Sequence, residues 1–173
     1  MPGAAVMSPR AWPVRRALGV ACALAGGIAG LDQAIKWLIV VEVMRPPRVI
    51  EVTGFFNLVL VFNTGVSFGM LRGAAAWWPW ALSALALVIV AVLLNWLRRQ
   101  PEPFLATAVG LVAGGALGNV VDRVRIGAVV DFLDFYVGTW HWPSFNTADI
   151  AISAGVGLLL VDGLFRGPGG GKT

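Results

Sequence analysis

The sequence predicts an all-α membrane protein with four transmembrane helices, a small extracytoplasmic β-sheet and a surface loop. Of its 173 residues, 58% are hydrophobic and 13% are charged, and the mean hydropathy is +0.79. Soluble domains are about one-quarter charged, so this chain has too little polar surface to face water on all sides. The apolar residues are concentrated in four blocks, which lack the ten-residue alternation of an outer-membrane barrel.

Charge and composition exclude several classes of protein. The net charge is +4 and the pI is near 10.2, but the cations form no stripe, so we expect no nucleic-acid partner. Cys22 is the single cysteine, which excludes a disulfide framework and a zinc ribbon. His141 is the single histidine, which excludes a His-Glu-x-x-His zinc protease. We expect no metal site and no cofactor.

A helix needs about 20 apolar residues to cross a bilayer, and four segments meet this length. They are residues 17–41, 77–97, 104–121 and 148–165. The first run continues well past Cys22, so it is longer than the apolar region of a cleaved signal peptide.

Three regions follow from this division of the chain. Residues 1–16 are predicted to be a cytoplasmic segment, 17–166 a four-helix domain and 167–173 a flexible tail. The basic loop 98–103 and the balance of Lys and Arg at the helix ends place both termini in the cytoplasm.

The two outer connections are long, which is typical of functional loops. Residues 48–53 and 56–62 of the first connection are rich in β-branched and aromatic residues, and they predict two short strands. The second connection, residues 122–145, is interpreted as a surface loop that carries three acids.

Ionisable residues inside a membrane span are costly and often functional. Asp32 and Lys36 lie four residues apart on one face of the first helix. Two interpretations stay open: a structural ion pair with Lys36 snorkelling outward, or a direct role in a site.

Glycines at intervals of four in the third span, Gly110, Gly114 and Gly118, predict a face for close helix packing. Asn119 and Asp122 continue from this face toward the outer end. Gly26 and Gly30 predict a similar packing face in the first span.

Two acids from separate segments, Asp131 and Asp149, approach the same outer interface. Two carboxyl groups that share a site cannot both ionise, so one holds a proton and the other acts as a base. Such a pair can hydrolyse a peptide bond without a covalent intermediate. Asp149 also suits a helix N-terminus, where an acid complements the dipole. Asp134 is predicted to be solvated and outside the site.

Three other functions compete with this interpretation. A Ser–Lys dyad of Ser67 and Lys36 is conceivable, although Ser67 lacks a Gly-x-Ser-x-Gly elbow. A transporter or proton-relay subunit would spread polar residues through the depth of several spans. An assembly factor that used only the glycine faces would leave the polar residues around Asp131 and Asp149 without a role.

Four blocks of the sequence are similar to the lipoprotein signal peptidase family, also called signal peptidase II. They are DQAIK at 32–36, NTGVSFG at 63–69, GNVVDR at 118–123 with VDF at 130–132, and FNTAD at 145–149. Their order and the four-span layout agree with the family pattern. Ser67 departs from it, because an alanine is expected at this position.

The resemblance implies an intramembrane aspartyl endopeptidase of the bacterial inner membrane, with its active site near the periplasmic face. It implies cleavage on the N-terminal side of a diacylglyceryl-modified cysteine in prolipoproteins, contact with membrane lipids, and inhibition by globomycin-type cyclic peptides. Asp131 and Asp149 would form the catalytic dyad, supported by Asp32 and Lys36 from the first helix. The residues implied to line or brace the site are Asn63, Asn119, Asp122, Arg123 and Asn146.

Overall fold

The computed structural model describes residues 12–65 and 77–165 of the chain. Within them lie four helices long and apolar enough to cross a membrane, which confirms the predicted spans. They are α1 (Val14–Leu38), which continues as a π-helical turn over Ile39–Val43, α2 (Trp78–Arg99), α3 (Pro103–Ile126) and α4 (Thr147–Phe165). Residues 1–11 and the predicted tail 167–173 lie outside the described ranges, as does Ser67.

Helix α3 is the most buried of the four and packs against α1, α2 and α4. Its glycines permit this, because a Cβ at Gly110 would lie 3.0 Å from the Ala21 carbonyl oxygen, and one at Gly114 would lie 2.9 Å from that of Ala25. On another face, a Cβ at Gly115 would collide with the Ala148 carbonyl of α4. The predicted glycine face is therefore confirmed.

The second predicted glycine face is wrong. At Gly26 and Gly30, apart from the local helix backbone, no atom of the described residues lies within 4 Å of the position that a Cβ would occupy. Helix α1 meets α3 instead through Ala21 and Ala25, which are both buried. Alanine is small enough for this contact because the glycines of α3 already provide the space.

Four antiparallel strands form a sheet in the order β1 (Ile50–Thr53), β2 (Phe56–Asn63), β3 (Val129–Val137) and β4 (Trp140–His141). The two strands predicted in the first connection are confirmed. The interpretation of residues 122–145 as a loop is wrong, because β3 pairs with β2 along most of its length. Asp is rare in strands. Because β3 contains two of them, Asp131 and Asp134, the sequence pattern did not predict this strand.

Helix α3 also extends further than predicted. It ends at Ile126 and is capped by Gly127, whose φ of +72° gives a left-handed conformation that glycine adopts without strain. Asp122 and Arg123 consequently lie on the last turns of a helix and not in a loop.

The sheet covers one end of the bundle, where α1 and α3 end and α2 and α4 begin. We call this the sheet end. Phe132 of β3 packs there with Ile39 and Met44, and all three are buried. This apolar contact fixes the sheet against α1 and brings β3 over the polar ends of the helices.

Candidate active site

A cluster of polar side chains lies beneath the sheet at the sheet end. Six of its members expose between 0 and 6% of their surface: Asp32, Lys36, Asn119, Asp122, Asp131 and Asn146. Burial of so many polar groups is costly unless each is hydrogen-bonded. The structure meets this condition through contacts between α1, α3, α4 and β3.

Lys36 is at the centre of the cluster. Its Nζ lies 2.8 Å from Asp32 Oδ2 and 2.8 Å from Asp122 Oδ2, and it donates to Asn119 Oδ1 at 3.0 Å. An ammonium group has three donors, and these three acceptors match them. The interpretation that Lys36 snorkels outward is therefore wrong. With its three contacts in place, Lys36 is also not free to serve as the base of a Ser–Lys dyad.

Asp32 connects α1 to the first turn of α4. Its Oδ1 accepts hydrogen bonds from Thr147 Oγ1 at 2.6 Å and from the backbone N–H of Ala148 at 2.9 Å. Backbone N–H groups at a helix start have no partner in the helix, and a carboxylate satisfies them well. The carboxylate reaches this point because Gly118 leaves space: a Cβ there would lie 2.6 Å from Asp32 Oδ2.

Asp122 connects α3 to the strand that carries Asp131. Besides the contact with Lys36, its Oδ2 accepts a 3.1 Å hydrogen bond from the backbone N–H of Val130. Its Oδ1 accepts a 2.7 Å hydrogen bond from Gln33. These contacts hold the residue just before Asp131 against the end of α3.

The two acids predicted to act together are joined through Asn146. The Asn146 side chain donates to Asp131 Oδ1 at 2.7 Å, and its backbone N–H donates to Asp149 Oδ2 at 3.1 Å. The N–H of Asp149 in turn donates to Asn146 Oδ1 at 3.1 Å. This reciprocal pair is a capping box at the start of α4. Asp149 is therefore both a capping residue and a neighbour of Asp131.

The remaining carboxylate oxygens have partners as well. Asn63, the last residue of β2, donates to Asp131 Oδ2 at 2.9 Å, and Asn119 of α3 donates to Asp149 Oδ1 at 2.9 Å. Three asparagines from three elements thus orient the pair.

Burial raises the pKa of Asp131 from 3.8 to about 6. The hydrogen bonds from Asn63 and Asn146 favour the charged form and oppose this increase, whereas the nearby charge of Asp149 adds to it. Asp131 is accordingly suited to hold a proton at mildly acidic pH.

Arg123 lies near the carboxylates of Asp122, Asp131 and Asp149. Its Nε is buried and has no hydrogen-bond partner among the described residues. An unpaired buried donor is costly to maintain. The Nε–H of Arg123 is therefore available to donate a hydrogen bond to another group near the two acids.

Asp134 is not solvated as predicted. It is buried, accepts a 3.0 Å hydrogen bond from Asn57 on the opposing strand, and lies 2.9 Å from His141 Nδ1 on β4. It therefore ties three strands together and is outside the cluster around Lys36. The sheet that buries it was not predicted in full, which explains the wrong expectation.

Sequence reasoning omitted two further residues of the cluster, Gln33 and Thr147. Both lie inside the blocks DQAIK (32–36) and FNTAD (145–149), so membership of those blocks was the available signal. Their partners, Asp122 and Asp32, lie 89 and 115 positions away along the chain. Only the packing of α1 against α3 and α4 brings them together.

A family model described as Signal peptidase (SPase) II matches residues 24–165, which include all of the cluster. The chain belongs to the signal peptidase II family. It is therefore an aspartic protease and a multi-pass membrane protein.

Individual relatives agree with the family assignment. The chain is 49% identical over 138 residues to the lipoprotein signal peptidase of Cupriavidus taiwanensis, covering 79% of this chain and 77% of that protein. It is 46% identical over 147 residues to that of Nitratidesulfovibrio vulgaris, covering 84% and 88%.

The fold also resembles a solved bacterial membrane enzyme determined by the in meso method. The TM-score is 0.73 at 29% identity, and the match covers 90% of this chain and 93% of that one. A second such structure has a TM-score of 0.71 at 30% identity, covering 84% and 92%. The four-helix architecture with its sheet is thus that of a known membrane enzyme.

Proposed function

We propose that this signal peptidase II removes the signal peptide from prolipoproteins, cutting on the N-terminal side of a cysteine that carries diacylglycerol. The observation that carries the proposal is the bridge made by Asn146 between Asp131 and Asp149. It supports a catalytic dyad of these two acids, because a shared binding partner keeps both carboxyl groups at one site. The names of the relatives support the class of substrate.

In the proposed first step, Asp131 holds the proton and Asp149 is ionised. Asp149 takes a proton from water as the water oxygen bonds to the scissile carbonyl carbon. Asp131 gives its proton to the carbonyl oxygen, which forms a tetrahedral diol. The raised pKa of Asp131, about 6, supports this distribution of protons.

In the second step the carbon–nitrogen bond breaks. Asp149 returns its proton to the leaving amine, and Asp131 takes one from a hydroxyl of the diol as the carboxylic acid forms. One water is consumed, and both acids return to their starting states.

The surrounding residues bind substrate or hold the dyad in place. Arg123 donates to a carbonyl oxygen of the substrate, a role supported by its unpaired Nε. Asn63 and Asp131 line a cavity of about 230 Å³ that is open to receive the chain next to the scissile bond. Asn119, Asp122 and Asn146 brace the site, and Asp32 and Lys36 support it from α1, as their contacts with α3 and α4 indicate.

The proposed location is the bacterial inner membrane, with the sheet end at the periplasmic face. There the signal helix lies between the helices of the enzyme, while the acyl chains of the cysteine stay in lipid. The lipid anchors and orients the cysteine beside the dyad, which lowers the entropic cost of alignment. A globomycin-type cyclic lipopeptide with a hydroxyl group inhibits by placing that group between the two acids.

Incubation of the detergent-purified protein with a prolipoprotein tests the proposal. The substrate is prepared with diacylglyceryl-cysteine and with unmodified cysteine, and mass spectrometry measures the initial rate of signal-peptide release. We expect efficient cleavage of the lipidated form and very slow cleavage of the other. Equal rates would show that the enzyme does not recognise the lipid. No cleavage of either form would refute the proposed substrate.

A further inference from the structure

A second cavity, of about 330 Å³, lies at the sheet end between α1 and α3. Val130 lines it, whereas Asp131, the next residue of β3, lines the smaller cavity at the dyad. Consecutive strand residues point to opposite faces, so the two cavities lie on different sides of the strand. Phe62 lines both. The volume is within the range of small-molecule sites, and the dyad does not face it.

One wall of this cavity is apolar and accessible. It contains Trp37, Val40 and Val41 from the end of α1 and Ile126 from the end of α3. Trp37 exposes 58% of its surface and Ile126 exposes 51%. Both stand at the ends of membrane-spanning helices, where tryptophan is typical of the interface between water and lipid.

The other wall is polar and carries three charged side chains, of which two form an ion pair with each other. Lys36 and Asp122 are buried and paired with each other. Arg125 is exposed, and among residues 12–65 and 77–165 no carboxylate lies within 4 Å of its guanidinium. It donates one hydrogen bond, at 3.3 Å, to Gln33 Oε1. A guanidinium has five N–H donors, so most of them are available to an anion.

From this geometry we propose that the cavity binds one phospholipid, with its phosphate at Arg125 and an acyl chain along Trp37, Val40 and Val41. The combination of an exposed guanidinium and an apolar wall at the end of two membrane helices matches a phosphate joined to an acyl chain. Arginine binds phosphate through paired N–H donors. The bound chain also contacts Phe62 and so stabilises the strand that ends in Asn63.

The test measures lipid binding directly and does not require the proposed cleavage. The full-length protein is delipidated in detergent and titrated with phosphatidylglycerol, and native mass spectrometry measures the affinity of the first bound lipid. Arg125→Gln should bind about tenfold more weakly or worse, since the variant loses the charge-assisted hydrogen bonds to the phosphate. Arg48→Gln is the matched control, because Arg48 is an exposed arginine outside this cavity, and it should bind like the wild type.

Val40→Phe fills the apolar wall without changing a charge, and it should also weaken binding. It provides a second test if Arg125→Gln does not fold. Equal affinity of wild type and both variants would overturn the proposal. Diacylglycerol binding as tightly as phosphatidylglycerol would overturn the role of the phosphate. Displacement of the lipid by millimolar inorganic phosphate would assign the site to a free anion instead.

Discussion

The side chain of Asn146 donates a 2.7 Å hydrogen bond to Oδ1 of Asp131 and so ties the start of α4 to β3. Asn146 is completely buried, and its backbone N–H donates to the carboxylate of Asp149. One residue therefore contacts both acids, while Asn63 and Asn119 each hold one of them. Its own amide is held by the α4 capping box and by the contact with Asn119. The positions of the two acids consequently depend on how the start of α4 is held against α3 and β3.

The first prediction concerns the dyad. Asp131→Asn and Asp149→Asn should each reduce cleavage of the lipidated precursor to background, because an amide keeps the shape but transfers no proton. Glu51→Gln, on the exposed strand β1, is the control and should cleave at the wild-type rate. Thermal unfolding in detergent checks that the variants fold. Turnover clearly above background in either dyad variant would exclude that residue as essential.

The second prediction concerns pH. If Asp131 supplies the proton, kcat/KM should fall as pH rises through about 6, the value to which burial raises its pKa. The value of kcat/KM reports the ionisation of groups in the free enzyme. Above this pH Asp131 is deprotonated and can no longer give a proton to the substrate, so kcat/KM falls. Asn63→Ala removes a hydrogen bond that favours the charged form, so it should move this decline to higher pH. If the decline occurs at the same pH in Asn63→Ala and the wild type, it does not report the deprotonation of Asp131.

The third prediction concerns Asp134. Asp134→Asn replaces a buried carboxylate that accepts a hydrogen bond from Asn57 and contacts His141. Because an amide makes weaker contacts with these partners, the free energy of unfolding should fall by about 1–3 kcal/mol. Because Asp134 is outside the cluster of the dyad, turnover should persist below the unfolding temperature. His141→Phe removes only one of the two partners and should destabilise less. A folded Asp134→Asn protein without turnover would place Asp134 in the reaction.

The fourth prediction concerns helix packing. Gly115→Ala should destabilise the protein by about 1–3 kcal/mol, because the new methyl group would collide with the Ala148 carbonyl of α4. Gly27→Ala is the matched control, since in the part of the chain that the structure describes only the local helix backbone lies within 4 Å of its Cβ position. Thermal unfolding of both variants measures the difference. Equal stability would show that α3 and α4 can separate at little cost.

The fifth prediction concerns topology. Reporter fusions at Pro47 and in the loop 98–103 should label opposite sides of the membrane, with the loop in the cytoplasm. The expectation rests on the four spans and on Arg98 and Arg99 in that loop. Labelling of both positions on the same side would contradict the proposed orientation.

Much of the fold could be predicted because membrane helices are determined by local composition. Each span is a run of apolar residues, and a bilayer requires every backbone group in it to be bonded within the helix. Strand β3 could not be predicted in the same way. Asp131 and Asp134 interrupt its apolar pattern, and their partners on other elements are distant in sequence.

The amino-acid sequence alone is enough to identify the four spans, the packing glycines of α3 and the polar residues near the helix ends. Tertiary structure decided what these residues do. In the folded chain Lys36 points inward to two carboxylates, and the carboxylate of Asp32 on α1 bonds the first turn of α4. Asp134 is buried within the sheet, and Asn146 links Asp131 to Asp149. The physical reason is that hydropathy is a local property. A buried polar group is stable only with partners that the folded chain brings from distant positions.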